Sequence, residues 1–158
     1  MFIKTIKFGE IEIDDSLIFE FVDPILGYED IKNYTIIDAQ KDSPFKWLQA
    51  TERPDVSFPV SIPLFFDIDY EFQIPEESQK KLKIENPDDL LILNIVNIPQ
   101  ANPKLATINL LGPIVINISN KKAAQLVLNS DKYSVRHKIF QEKEKNEQTK
   151  NHKEKIKK

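Results

Sequence analysis

The chain has 158 residues, a net charge of −3, 41% hydrophobic residues, ten prolines and three glycines. That is the size of one domain with enough apolar residue for a core, which excludes a disordered chain. The absence of cysteine excludes disulfides, thiolate nucleophiles and Cys-ligated metals.

Taken in chain order, "MFIKTIKF" reads as a strand with Phe2, Ile6 and Phe8 on one face and Lys4 breaking the row. After Gly9 the apolar positions move to Ile11 and Ile13, with Glu10, Glu12 and Asp14 opposite. A turn or bulge at Gly9 accounts for the slip, because glycine tolerates positive φ. "LIFEFV", "YTIIDA" and "FKWLQA" are short strands; "DPILGYEDIKN" is a loop with at most one helical turn, and "QKDSP" is a turn. "DVSFPVSI" alternates, with Val56, Phe58, Val60 and Ile62 on one side and Pro59 on the other. A proline cannot donate to a ladder, so this strand is expected at an edge or a bulge.

Pro63 and "LFF" then bend the chain into an acidic strand, Asp67 to Ile74. "PEESQKKLKI" is the one good helix candidate, with Pro75 at its first position, acids at its start and lysines at its end. "LLILNIVNI" is apolar throughout and reads as a central strand. "ATINLL", "PIVINI" and "AAQLVL" follow as strands, with Gly112–Pro113 between the first two and a tight "SNKK" turn between the last two; "KYSVRHKIF" closes the series. About ten short strands and one small helix predict an all-β fold, mainly antiparallel and β-barrel-like, over residues 1–140.

The tail, residues 141–158, holds seven Lys and four Glu and is expected to be a disordered or frayed charged segment. Subtracting it leaves 15 basic and 21 acidic side chains on residues 1–140, a balance of −6. An acidic body argues for a basic partner and against direct nucleic-acid binding. Modest acidity is also an ordinary route to solubility, and the basic tail leaves RNA binding open as a rival. No apolar run approaches the ~20 residues of a membrane helix, and no secretory leader pattern stands at the N-terminus. A soluble cytoplasmic protein with no membrane partner is therefore expected.

His137 and His152 are the only histidines, and no serine or aspartate stands at a recognised spacing around His137. There is no glycine-rich phosphate loop and no zinc signature. No catalytic residue, cofactor or metal is expected. The segment "FFDIDYEF" alternates Ile68, Tyr70 and Phe72 with Asp67, Asp69 and Glu71. Same-face carboxylates two residues apart lie ~6.6–7 Å from each other. That spacing suits a solvated face that guards an edge, a protein-binding stripe, or a glycosidase-like acid pair. Leu64, Phe65 and Phe66 are consecutive and cannot share one face, so at least one of the three is exposed or at a bend, and an exposed aromatic flanked by acids would suit a partner contact. Asn94, Asn97, Asn109 and Asn117 interrupt apolar runs, where bonding to backbone at bulges or contact with a partner would each explain them.

Several stretches together resemble the FliW family of flagellar assembly factors: "FGEIEID", "GYEDIKNYTIID", "SPFKWLQA", "PDVSFPV" with "PLFFDIDYEF", "DDLLILNIVNIP", "ATINLLGPIVINI" and "KYSVRH". They run in order over residues 1 to about 140. Departures from the family pattern are Leu26 where proline is usual, Gly112 for alanine and Lys138 for proline. The resemblance implies a non-enzymatic cytoplasmic protein with a small barrel-like fold. It implies binding to CsrA, a basic dimeric RNA-binding regulator, and to flagellin, so that repression of flagellin translation is relieved when flagellin is exported. A flagellin-binding chaperone or adaptor without a regulatory partner is the alternative. Surface logic assigns Asp67, Asp69 and Glu71 to steering and pairing, Phe65 or Phe66 with Pro63 to an apolar anchor, and Pro54 and Asp55 to the rim of the partner site.

Overall fold

The computed structural model describes residues 1–140; the expectation for residues 141–158 lies outside them. The chain opens with a hairpin of β1 (Phe2–Thr5) and β2 (Gly9–Glu12). Gly9 has φ 70°, and its carbonyl accepts from Thr5 Oγ1 at 2.8 Å, which closes the turn. The buried residues of β1 are Ile3 and Thr5, while Phe2 and Ile6 are exposed. The inward face is thus the opposite of the one expected. The hairpin rests on the body through Ile6 N–H to the Pro54 carbonyl (2.9 Å) and Phe8 edge-on to Trp47.

The body follows as β3 (Ile18–Asp23), β4 (Asn33–Ile37), β5 (Lys46–Ala50), β6 (Ser57–Ser61), the helix α1 (Glu76–Lys81), β7 (Leu90–Asn97), β8 (Thr107–Ile108), β9 (Ile114–Asn117), β10 (Lys122–Gln125) and β11 (His137–Lys138). Strands β3, β4, β5, β6, β7, β9 and β10 pair in that order, and β10 returns to β3, closing a barrel of seven strands. Every pairing is antiparallel except β10 with β3. The expected all-β, mainly antiparallel barrel with one short helix is what the chain forms. Closure removes the exposed strand edges that an open sheet would present.

β6 is not an edge strand: it lies between β5 and β7. Pro59 is tolerated because the pairing with β7 covers only Val60 and Ser61, so the missing N–H falls beyond that ladder. Pro75 sits at the N-cap of α1 rather than at its first helical position. "ATINLL" contributes only Thr107–Ile108 to a strand. There the Asn109 side chain accepts from the N–H groups of Leu111 and Gly112 and turns the chain. Gly112 is held close: a Cβ would come within 2.8 Å of Gln125 Nε2 and 3.0 Å of Asn109 Nδ2.

The barrel is apolar on both sides over part of its wall. Phe19, Phe21, Tyr34, Leu48, Val60, Leu93, Ile114 and Ile116 pack inside it. On the outer face, Val115, Ala124 and Leu126 are covered by Leu82, Phe72 and Ile74, and Val96, Ile108 and Leu110 by Phe66, Ile68 and Tyr70. Residues 66–84 therefore wrap the outside of the wall formed by β7, β9 and β10. This double burial explains why "LLILNIVNI" has no polar face.

Candidate functional site

The wrapping segment carries the acidic row. It begins at a 3-10 turn, Pro63–Phe66, closed by Asp67 in the left-handed region (φ 58°, ψ 30°), whose N–H donates to the Leu64 carbonyl. Aspartate is one of the few residues that takes this conformation at modest cost. From Ile68 to Ile74 the chain belongs to no sheet, and its residues alternate between half-buried and exposed. The strand expected here is instead a strip pinned by side chains. The facing was correctly anticipated: Asp67, Asp69 and Glu71 are exposed, while Ile68, Tyr70 and Phe72 are half-buried against the barrel.

Two tyrosines hold the strip. Tyr70 Oη donates to the Leu110 carbonyl at 2.7 Å and accepts from Asn94 Nδ2 at 3.2 Å. Burial pushes its phenol up to about 12, with the Asn94 amide acting in the opposite sense. Tyr133 Oη accepts from Glu71 N–H at 2.8 Å and donates to the Glu71 carbonyl at 3.1 Å. The two rings meet edge-on at 4.9 Å. A single residue outside the row, Tyr133, thus substitutes for a neighbouring strand. Sequence reasoning missed it, since nothing local marks a tyrosine 62 residues away as the partner of this backbone.

Beside the strip lies an open groove of about 780 Å³, lined by Ile62, Pro63 and Leu64, by residues 68–73, and by Ile92. Leu64 is 73% and Phe65 58% exposed. Phe66 is half-buried, stacked on Phe45 at 5.7 Å and edge-on to Phe140 at 6.2 Å. Pro63 is buried as the first residue of the 3-10 turn. The apolar surface beside the acids is therefore Leu64 and Phe65; Pro63 and Phe66 shape it from beneath. Leu64 lies within the expected exposed stretch but is not among the residues assigned to the partner site, because aromatics make the better anchors.

Pro54 and Asp55 stand apart from this cluster. They precede the five residues of β6, whereas Pro63 follows them, so roughly 16 Å of strand lies between at ~3.3 Å per residue. The Asp55 carboxylate is already engaged by Arg53, at 3.0 Å from Nε and 2.9 Å from Nη2, which lowers its pKa. Some other surface acids are similarly paired, Asp38 with Lys46, Asp23 with Lys81 and Glu20 with Lys122, while others such as Glu10, Glu12 and Glu85 form no ion pair among the described residues. Among the described residues, Asp67, Asp69 and Glu71 form no ion pair.

Three of the four interrupting asparagines, Asn94, Asn109 and Asn117, bond to backbone, whereas Asn97 is exposed. Asn94 also donates to the Asn109 carbonyl, and Asn117 donates to the Leu82 carbonyl, at 2.9 Å each, the latter fastening the end of α1 to the barrel. His137 lies in β11, opposite Ile108. No described helix is long and apolar enough to cross a membrane, and among the described residues no cluster of three or more His, Cys, Asp or Glu is placed to hold a metal ion.

The FliW protein family model matches residues 2–139. The flagellar assembly factor FliW of Ruminiclostridium cellulolyticum is 43% identical over 148 residues, covering 93% of this chain and 99% of that one. The flagellar assembly factor FliW of Treponema denticola is 42% identical over 142 residues, covering 90% and 95%. A crystal structure of the flagellar assembly factor FliW superposes with a TM-score of 0.82 at 28% identity, over 90% of this chain and 99% of that one. With its whole barrel and wrapping strip inside the matched span, the chain belongs to the FliW family of flagellar assembly factors.

Proposed function

We propose that this FliW-family chain is a cytoplasmic, non-enzymatic antagonist that binds a basic RNA-binding regulator of the CsrA type through the acidic strip. Flagellin binds the same protein in competition, so that export of flagellin frees the chain to capture the regulator and lift repression of flagellin translation. One observation carries this reading. Asp67, Asp69 and Glu71 stand exposed in one row on the strip, unpaired among the described residues and next to exposed Leu64 and Phe65.

The physical division of labour follows from that arrangement. Exposed carboxylates accelerate encounter with a basic partner and make binding salt-sensitive, while a desolvated ring supplies more of the affinity. The carboxylates are exposed and the groove that Asp69 and Glu71 border is open to solvent instead of enclosing them, which favours binding over acid–base chemistry. The acidic body repels nucleic acid, so the reading places the regulator, and not RNA, on this face.

The test is isothermal titration of the regulator into the parent and into Asp69→Lys/Glu71→Lys, with and without flagellin. The double variant keeps its circular dichroism and melting temperature and binds at least tenfold more weakly. Unchanged affinity at low salt would remove the acidic face from the mechanism. Binding of flagellin alone, with no heat from the regulator, would replace the antagonist by a simple flagellin adaptor.

A further inference from the structure

Strand β7 changes partners along its length, and its register shows which way each backbone group points. The Asp89 carbonyl accepts from Ile118 N–H, and the Ile95 carbonyl accepts from Asn109 N–H, both at 2.9 Å. In an antiparallel ladder the N–H and C=O of one residue point the same way and alternate along the strand. Odd-numbered residues of β7 therefore face β9 and β8, and even-numbered residues face β6. On the β6 side the pairing ends at Ser61 opposite Asn94. The next hydrogen-bonding pair would be Pro63 with Ile92. Pro63 has no N–H to give, and it starts the 3-10 turn in which its carbonyl accepts from Ile68 N–H.

The ladder thus splits open at Pro63. The N–H and C=O of Ile92 are directed to the side that β6 has left, with no backbone partner among the described residues. Leu90, one step further, donates its N–H to the Pro87 carbonyl. Ile92 also lines the groove that Asp69 and Glu71 border. An open donor–acceptor pair is thereby set beside two exposed carboxylates and apolar Ile62 and Leu64.

We propose that the groove takes an extended, lysine- or arginine-rich segment of a partner protein by adding it as a short strand to β7 at Ile92. Strand addition uses main-chain bonds for affinity and alternate side chains for selection. In an extended guest, residues two apart lie ~6.6–7 Å from each other, and Asp69 and Glu71 are likewise two apart on the exposed side of the strip. Two basic side chains at positions i and i+2 meet the two carboxylates, and an apolar residue between them faces the opposite way, toward Ile62 and Leu64. This rests on the acidic strip being the partner-binding face, and it adds the conformation and sequence pattern of the segment bound there.

The probe is the peptide acetyl-KVKIKVK-amide, used with the full chain. In the free protein the Ile92 amide exchanges with solvent faster than those of Leu91 and Leu93, and saturation with peptide slows it at least tenfold. Two further peptides carry N-methyl groups on alternate residues of opposite parity. One parity loses at least tenfold in affinity and the other stays within about twofold, because only one edge of the guest faces β7. An Ile92 amide as protected as Leu91 in the free chain, exchange unchanged by the peptide, or equal behaviour of the two methylated peptides would each overturn strand addition. If those results occur while Asp69→Lys/Glu71→Lys still loses the regulator, the acidic-strip reading stands without it. If the charge-reversed protein binds peptide and regulator as the parent does, the strip itself is not the binding face.

Discussion

Tyr70→Phe removes one oxygen and leaves the ring, so it isolates the lock that holds the acidic strip to the barrel. Two hydrogen bonds disappear: the donation to the Leu110 carbonyl at 2.7 Å and the acceptance from Asn94 Nδ2 at 3.2 Å. Leu110 is fully buried, and a buried carbonyl left without its donor costs about 1–3 kcal/mol. Asn94 keeps its bond to the Asn109 carbonyl, so the second loss adds only about 0.5 kcal/mol. The ring contacts with Tyr133 at 4.9 Å and Phe72 at 5.3 Å are retained, and no cavity term enters. The sum is roughly 1.5–3.5 kcal/mol, or a fall in Tm of roughly 3–14 °C for a domain of this size. Tyr133→Phe removes two bonds as well, but to the solvent-exposed backbone of Glu71, where water takes over the N–H and C=O. Its cost is under about 1 kcal/mol. Urea unfolding of both variants, with the slope m checked against the parent, measures the difference. A Tyr70→Phe loss below about 0.5 kcal/mol, or equal losses for the two variants, would refute the claim that buried and exposed halves of the lock differ in this way.

The same phenol makes a pH signature. Its folded pKa is raised to about 12 against about 10 for an unfolded tyrosine, so its contribution is complete below pH 10 and is lost as pH rises through 12. Parent stability therefore falls over that window by up to ~1.4 kcal/mol per pH unit more than that of Tyr70→Phe, as read by urea unfolding at stepped pH. Phe65→Ala tests the exposed side of the turn. With the ring 58% exposed, stability stays within about 0.5 kcal/mol, while affinity for the regulator drops tenfold or more if this ring is the anchor. Unchanged affinity would move the anchor to Leu64.

Much of this molecule was legible in one dimension because the signals are local. Alternation in "DVSFPVSI" identified Val56, Phe58, Val60 and Ile62 as one face, and all four pack in or against the barrel interior. The apolar run from Leu90 reads as a strand covered on both sides, and it is one. In the strip, alternation identified which side chains face water but not what the backbone does. A period of two is shared by any extended chain, so it cannot distinguish a laddered strand from one pinned by tyrosine hydroxyls. The same ambiguity reversed β1, where lone apolar residues at Phe2 and Ile6 outweighed Thr5, whose hydroxyl is satisfied inside by the Gly9 carbonyl.

The candidate site divides along the same line. The exposure of Asp67, Asp69 and Glu71 was legible in their pattern, and exposure somewhere in Leu64–Phe66 in the impossibility of burying three consecutive residues on one face. Which ring is exposed depends on Phe45 and Phe140 arriving to cover Phe66. That Pro54 and Asp55 lie at the far end of β6 depends on where that strand runs.

Residue order alone settled the composition of the elements, the all-β class, and the outward direction of three carboxylates, since each follows from steric period and solvation within a few bonds. Closure of the wall through the parallel β10–β3 pairing, the tyrosine locks, and the opening of the β6–β7 ladder at Pro63 were decided only in three dimensions. Each of these depends on groups far apart along the chain meeting in space, and no local energy term records that meeting.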